Sequence, residues 1–426
     1  MNDKRVVITG IGPLASIGFG KDYFWRGILE KNLSVKRVKD KEIPVESYLA
    51  YKIDNFDITD FVDKKIIEDI KRWKEGEDDK ALYYAIAAVK LALDDSNLKY
   101  KKAFNNIGVV FTNENPGIGS YAYKVINYAY EFIRKNIRMR REEFVRKWIE
   151  LFDKPTYELQ TFMPLYHLTK AFGFHGYSLF VNNACASGLY AIELAAQIIK
   201  KGMCSVVIIV GSEVCDVFKY LWFKDIGLYS LEGVIRPFSK RGTGFVIGEG
   251  AAAIVMEALD FAKKRKAHIY GEYLGGGFYL EGWKVTLPAV GRDFYERSIK
   301  KALDTAGVAK EKIDLIIPHG VGVPLIDKYE IRGIEKVFGK IYTQPLISAF
   351  KPYIGHTLGI NSLLEVIILL LTLNNEIIPP VLNFSPLISK LNIVKKIMRK
   401  RLKYVMKITS AFAGYLGTCV FGKYNG

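Results

Sequence analysis

The chain is short of the groups that much protein chemistry relies on. Its 426 residues include only four cysteines and five histidines. Cys185, Cys204, Cys215 and Cys419 are scattered, with no CxxC pair. Neither a disulfide framework nor a metal site is indicated, and a reduced, cytoplasmic setting fits best. A glycine turn, Gly10-Ile11-Gly12-Pro13, follows the opening strand but lacks the GxGxxG spacing of a dinucleotide site, which excludes that class. No signal peptide is expected, because Met1 to Arg5 lead straight into the strand Val6-Val7-Ile8-Thr9. The longest apolar run, Leu363 to Leu373, contains Glu365 and is too short for a bilayer, so no transmembrane segment is expected.

Acidic charge is also scarce. The net charge is +17, which points to an acidic partner, and the basic residues gather in Arg134 to Lys147 and in Lys395 to Lys407. Neither cluster carries a nucleic-acid motif, so nucleic acid is not expected; both also fit a solvated, lysine-rich surface.

What is present is a large apolar fraction, 50% of residues, arranged as alternating strands and helices. Strands are expected at 5–9, 106–111, 177–181, 205–210 and 245–256, then at 268–273, 313–317, 346–350, 404–410 and 418–421. Helices are expected at 79–93, capped by Asp78 or Asp79, and at 294–306, 328–338 and 356–372. Residues 31–80 read as loops with short helices, and 121–151 as semi-exposed helix. This rhythm predicts an α/β layered fold with two similar halves, 1–257 and 258–426, the first carrying an insert at about 30–165.

Cys185 falls where the strand-like run Tyr177 to Val181 meets the helix-like run Leu189 to Ala196. Small neighbours (Ala184, Ala186, Ser187, Gly188) leave room at the sulfur, and a helix N-terminus favours thiolate. By itself this stretch fits a small core residue equally well. Two histidines shift the balance. His319 ends the apolar strand 313–317 and His356 follows 346–350, both beside glycine. The C-terminal ends of strands are where open α/β sheets hold ligands. His167, His175 and His268 lack that context.

Several blocks then fall in one order: Val6-Val7-Ile8-Thr9-Gly10-Ile11-Gly12, Asn183-Ala184-Cys185-Ala186-Ser187-Gly188, Arg236-Pro237-Phe238, Gly244-Phe245-Val246-Ile247-Gly248-Glu249-Gly250, His319-Gly320, Lys351 with Gly355-His356, and Ile377-Ile378-Pro379-Pro380. With these blocks the chain resembles the β-ketoacyl-acyl carrier protein synthases of the thiolase superfamily, the elongating type II form and related polyketide ketosynthases above all. The resemblance implies a thiolase-like fold, two duplicated βαβαβαββ halves in five layers (α-β-α-β-α). It implies that Cys185 accepts an acyl chain from an acyl carrier protein, with no permanent cofactor beyond the carrier's phosphopantetheine arm. His319 and His356 would promote decarboxylation of a malonyl thioester as hydrogen-bond donors, supported by Lys351 and Glu365. Tyr415, after Gly414, matches the gating aromatic whose N–H completes an oxyanion hole with that of Cys185. Thr286 matches a pantetheine contact, and Ile118 and Phe180 are expected at the acyl pocket or its cap. A homodimer joined through the strand 177–181 is implied, or a heterodimer with a related subunit.

The departures from the family lie in the walls. Where the family writes His-Gly-Thr-x-Thr, this chain has His319-Gly320-Val321-Gly322-Val323, losing two hydroxyls worth about 1 kcal/mol each. Leu416 replaces a glycine of the C-terminal loop, and Gly242-Thr243 replaces an Arg-Asp pair. The expectation is a divergent condensing enzyme with an unusual acyl chain. Acyl transfer or decarboxylation without condensation, and a non-catalytic subunit, are the alternatives.

Overall fold

A computed structural model describes residues 4–41, 43, 45–73, 79–99, 106–114, 118–135, 139–289 and 291–425. The first half contributes strands β1 (Val6–Ala15), β2 (Ile107–Thr112), β3 (Ser178–Val181), β4 (Val206–Glu213) and β5 (Gly250–Ala258). The second contributes β6 (Gly271–Leu280), β7 (Ile313–Ile317), β8 (Leu346–Ile347), β9 (Tyr404–Ser410) and β10 (Tyr415–Gly422). The first half is ordered β3-β2-β4-β5-β1 and the second β8-β7-β9-β10-β6, the same permutation. Directions repeat as well: the first three strands of each half pair parallel and the last two join antiparallel. The halves connect where Val6 to Ile8 of β1 pair with Gly271 to Tyr273 of β6.

Helices fill the layers between and outside. Among them are α1 (Lys80–Ser96), α2 (Ile118–Arg134), α3 (Arg141–Glu158), α4 (Ser187–Lys200), α5 (Phe294–Ala306), α6 (Pro324–Phe338) and α7 (Asn361–Asn375). Strand period decides the layering. Val207 and Ile209 of β4 point to a central core with α4 and α7, which also takes Leu315 and Val405 from the second half. Val206, Ile208 and Val210 point outward to α1. On the far side, Ile316, Met406 and Val420 pack under α5 and α6. Covered on both faces, β4 is buried throughout, as its unbroken apolar run requires.

The structure corrects several expected boundaries. β1 runs through Gly10 and Gly12 to Ala15 rather than turning there. These glycines let α1 lie against the strand: a Cβ on Gly12 would sit 2.0 Å from Ala88 O, and one on Gly10 2.4 Å from Ala92 O. Asp79 caps α1 by accepting from Leu82 N, as the sequence suggested; Asp78 lies outside the described residues. Residues 31–80 include a ribbon, Val35–Val38 with Tyr48–Tyr51. His356 is not helical; a turn at Leu358–Ile360 precedes α7. Phe245 to Gly248 precede β5 as bridging segments, and β8 is two residues long. Leu358–Asn375 is long and apolar enough to cross a membrane by composition, yet 89% of it is buried between the two sheet halves. The expected insert, about 30–165, is too wide, since it contains α1 and β2 of the core; outside that core, α2 and α3 pack together through Tyr128 on Trp148 and Phe132 on Phe144.

Candidate active site

β3 ends at Val181, and the chain turns through Asn182-Asn183-Ala184 before α4 begins at Ser187. Ala184 has φ +49°, in the left-handed region that disfavours non-glycine residues. Local hydrogen bonds hold it there. Ser187 Oγ accepts from Asn183 N (2.8 Å) and donates to Ala184 O (2.6 Å), while Ala184 N donates to Asn182 Oδ1 (3.2 Å). Cys185 is thereby fixed at the N-terminal end of α4, buried, and unpaired with any other cysteine. Gly188 does not open a path for substrate. Its missing Cβ makes room for α7, where a Cβ would lie 2.5 Å from Ser362 Oγ.

The second half delivers the histidines. His319 follows β7 in a turn whose Gly320 and Gly322 both have positive φ. Two buried carboxylates of α6 organise that turn. Glu330 accepts from His319 N and Gly320 N (2.7 and 2.9 Å), and Asp327 accepts from Val321 N and Phe238 N (3.0 and 2.7 Å). Burial pushes the Asp327 carboxyl up to about 7. His356 sits beside Val246 and Gly248, bonded through both backbone groups. The two imidazoles meet edge to face with centroids 5.5 Å apart. Burial first, then the charge of Lys351, holds both well below the ordinary histidine range, so both are neutral.

Beneath them lies a fully buried ionic cluster. Lys351 Nζ is 3.4 Å from His319 Nδ1, donates to His319 O, and lies 3.2 Å from Glu365 Oε1. Lys407 Nζ sits 2.7 Å from Glu365 Oε2 and donates to Pro318 O at 3.0 Å. Burial lowers the Lys407 ammonium to about 8. The sequence had placed Lys407 in a surface cluster; it is wholly buried. With Nδ1 of His319 facing an ammonium, its proton belongs on Nε2.

On the other side of the sulfur is a carboxylate that the sequence did not single out. Cys185 Sγ lies 3.8 Å from Glu114 Oε2. Glu114 N donates to Glu213 Oε1 (2.6 Å), and Asn182 Nδ2 donates to Glu114 O (3.1 Å). Lys219 Nζ pairs with Glu213 Oε2 (3.0 Å) and with Asp216 Oδ2 (3.7 Å). Glu114 is partly exposed. Burial and then the charge of Glu213 push its carboxyl up to about 8. Burial, and next the Glu114 charge, raise the Cys185 thiol.

One open-mouthed cavity collects Cys185, His319 and His356 and encloses about 520 Å³ including its mouth. Thr286, Val321, Gly414 and Tyr415 line it as expected, and Leu416 joins them. Lys351 and Glu365 stand behind the histidines. Val323 packs in the neighbouring apolar cluster and is not part of the cavity lining. Phe180 stacks on Phe111 with ring centroids 5.7 Å apart, facing the outer core, and the Ile118 side chain lies outside the described residues.

Two family models cover most of the chain: β-ketoacyl synthase, N-terminal domain, over residues 3–262, and β-ketoacyl synthase, C-terminal domain, over 270–385. The chain belongs to the β-ketoacyl synthase family. It is an acyltransferase of the kind that condenses acyl chains in fatty acid or polyketide biosynthesis. Among curated relatives, 3-oxoacyl-[acyl-carrier-protein] synthase 2 of Coxiella burnetii is 29% identical over 395 residues, 90% of this chain and 89% of that one. The enzyme of the same name from Vibrio harveyi is 27% identical across 99% of both. Among solved structures, the ishigamide ketosynthase/chain length factor superposes with TM-score 0.83 at 25% identity, over 99% of this chain and 100% of that chain. A β-ketoacyl synthase from Burkholderia phymatum STM815 shares the fold at TM-score 0.83 and 23% identity, with the same coverage. The expected thiolase-like fold and ketosynthase membership therefore hold.

Proposed function

We propose that this ketosynthase loads an acyl chain from the phosphopantetheine arm of an acidic acyl carrier protein onto Cys185 and condenses it with a malonyl thioester. The observation that carries the reading is the single cavity joining the Cys185 sulfur to two buried, neutral imidazoles. In the first half-reaction a sulfur–carbon bond forms at Cys185 and the pantetheine thiol leaves. In the second, the malonyl thioester loses carbon dioxide. The enolate oxygen is stabilised by hydrogen bonds, one of them from His319 Nε2–H, which Lys351 orients; His356 faces the same cavity. The enolate carbon attacks the acyl-cysteine carbonyl, the tetrahedral intermediate collapses with loss of the Cys185 thiolate, and a 3-ketoacyl thioester two carbons longer is released. Backbone N–H groups of Cys185 and Tyr415 would hold the oxyanion.

The same reading makes the protein soluble and cytoplasmic, and a dimer joined at β3 with itself or with a related ketosynthase-like subunit. The half-exposed β3 edge supports that assembly. The test is purified protein incubated with acyl and malonyl carrier protein. Intact mass should show one acyl group on Cys185, carbon dioxide should be released, and the product should be two carbons longer than the primer. A product of unchanged length, or no acyl-cysteine with any primer, overturns the proposal.

A further inference from the structure

The Cys185 proton has to go somewhere when sulfur attacks a thioester. The thiol is buried, and no described side chain other than Glu114 makes a hydrogen bond to Sγ. We propose that Glu114 is the base that takes the Cys185 proton as the acyl group moves to sulfur, and that it returns this proton to the departing pantetheine thiolate. The proposal rests on Cys185 being the acyl acceptor. The step balances: the Cys185 S–H bond breaks as its sulfur–carbon bond forms, the proton moves to Glu114 Oε2, the thioester carbon–sulfur bond breaks, and the same proton neutralises the leaving thiolate.

The placement of Glu114 is built rather than incidental. Its N–H is anchored on Glu213 at the end of β4, and its carbonyl accepts from Asn182 of the nucleophile turn, which ties the loop after β2 to the sulfur. Lys219, which Asp216 also pairs with, fixes Glu213 in turn. A carboxyl raised by its surroundings is a stronger proton acceptor than a surface glutamate, and a base works best with an affinity near the operating pH. The charged groups facing it are Glu213 and Lys219; those acting on the sulfur are Glu114, Glu213 and Lys351. Glu114 must be ionised to act, so acylation should rise with pH as it loses its proton, around pH 8.

The experiment follows acylation of the full-length protein by p-nitrophenyl hexanoate as a stopped-flow p-nitrophenolate burst between pH 6 and about 9.5, with Cys185→Ala as the blank. Wild type should show a burst that rises around pH 8 and slows about twofold in deuterium oxide. Glu114→Gln should slow it by about tenfold or more and abolish both the rise and the isotope effect, and Glu114→Asp should restore the rise in part. A Glu114→Gln burst that is equally fast or faster, or slower with the same rise and isotope effect, overturns the proposal. An activated ester needs no carrier protein, so the outcomes separate. A wild-type burst that depends on Glu114, without condensation on carrier substrates, defeats the proposed function alone. Condensation with a Glu114-independent burst defeats this inference alone.

Discussion

The two halves repeat one strand order, yet each buries a different ionic cluster. Around the sulfur, the first half gathers Glu114, Glu213 and Asp216 against one amine, Lys219. Under the imidazoles, the second half gathers two amines, Lys351 and Lys407, on Glu365, with buried Glu330 acting on both. Burial raises the thiol and the Glu114 charge adds to it; burial also keeps the two histidines neutral, with the Lys351 charge adding to that. On the proposed function, a duplicated scaffold carries two different half-reactions because different groups are buried at equivalent ends of its strands.

Breaking one side at a time should separate these half-reactions, and the largest effects belong here. Cys185→Ala should abolish chain elongation, a loss on the order of 10³-fold or more, while leaving carbon dioxide release from the malonyl thioester intact. His319→Ala should do the reverse, lowering decarboxylation by about 10²–10⁴-fold while Cys185 still takes up acyl label. Product mass and carbon dioxide release, measured on both variants, check the crossing. Loss of both activities in either variant would mean that the halves do not divide the chemistry.

The second-half cluster sharpens the comparison through stability. Glu365→Gln removes the carboxylate that both buried ammoniums pair with and should cost about 3–5 kcal/mol. Lys407→Met leaves Lys351 paired one to one with Glu365 and should stay within about 1 kcal/mol of wild type, or gain. The sign of the pH effect follows from Lys407, whose ammonium falls from 10.5 to about 8 in the folded chain. Between those values the unfolded chain binds a proton that the folded chain has released, so stability rises with pH across that window. Urea unfolding at pH 8 and about 10 should show this rise in wild type, and Lys407→Met should flatten it.

Much of this site could be read before the fold was known, and the rest had a physical reason to stay hidden. Cys185, His319 and His356 each follow an apolar run beside small residues, a pattern that marked Cys185 only when the two histidines and the family blocks were added to it. Lys407 closes a run of lysines and arginines that fitted a solvated surface, and although 404–410 read as a strand, nothing local shows that β9 is covered on both faces. Glu114 stands 71 positions before Cys185, and their contact depends on β2 and β3 pairing in parallel with Thr112 opposite Val181. Asp327 and Glu330 could have been suspected, since they share one face of α6 one turn after the His319 glycines. β8 was overcalled because Ala349 and Phe350, although buried, lie past its last ladder bond, from Ser348 N to Ile316 O, and lead into Lys351.

The smallest effects concern the wall that the two halves share. Val321 is buried and lines the cavity, whereas Val323, two residues on, packs outside the lining. If the pantetheine arm occupies this cavity, a hydroxyl at 321 can reach its amides and one at 323 cannot. Val321→Thr should then lower KM for an acyl-pantetheine substrate by about fivefold, the worth of one neutral hydrogen bond near 1 kcal/mol. Without substrate the same hydroxyl is buried in an apolar wall, so Tm should fall as KM improves. Val323→Thr should leave KM unchanged. Equal effects at both positions would place the arm somewhere other than between Val321 and Tyr415, and would move the boundary between the two half-reactions with it.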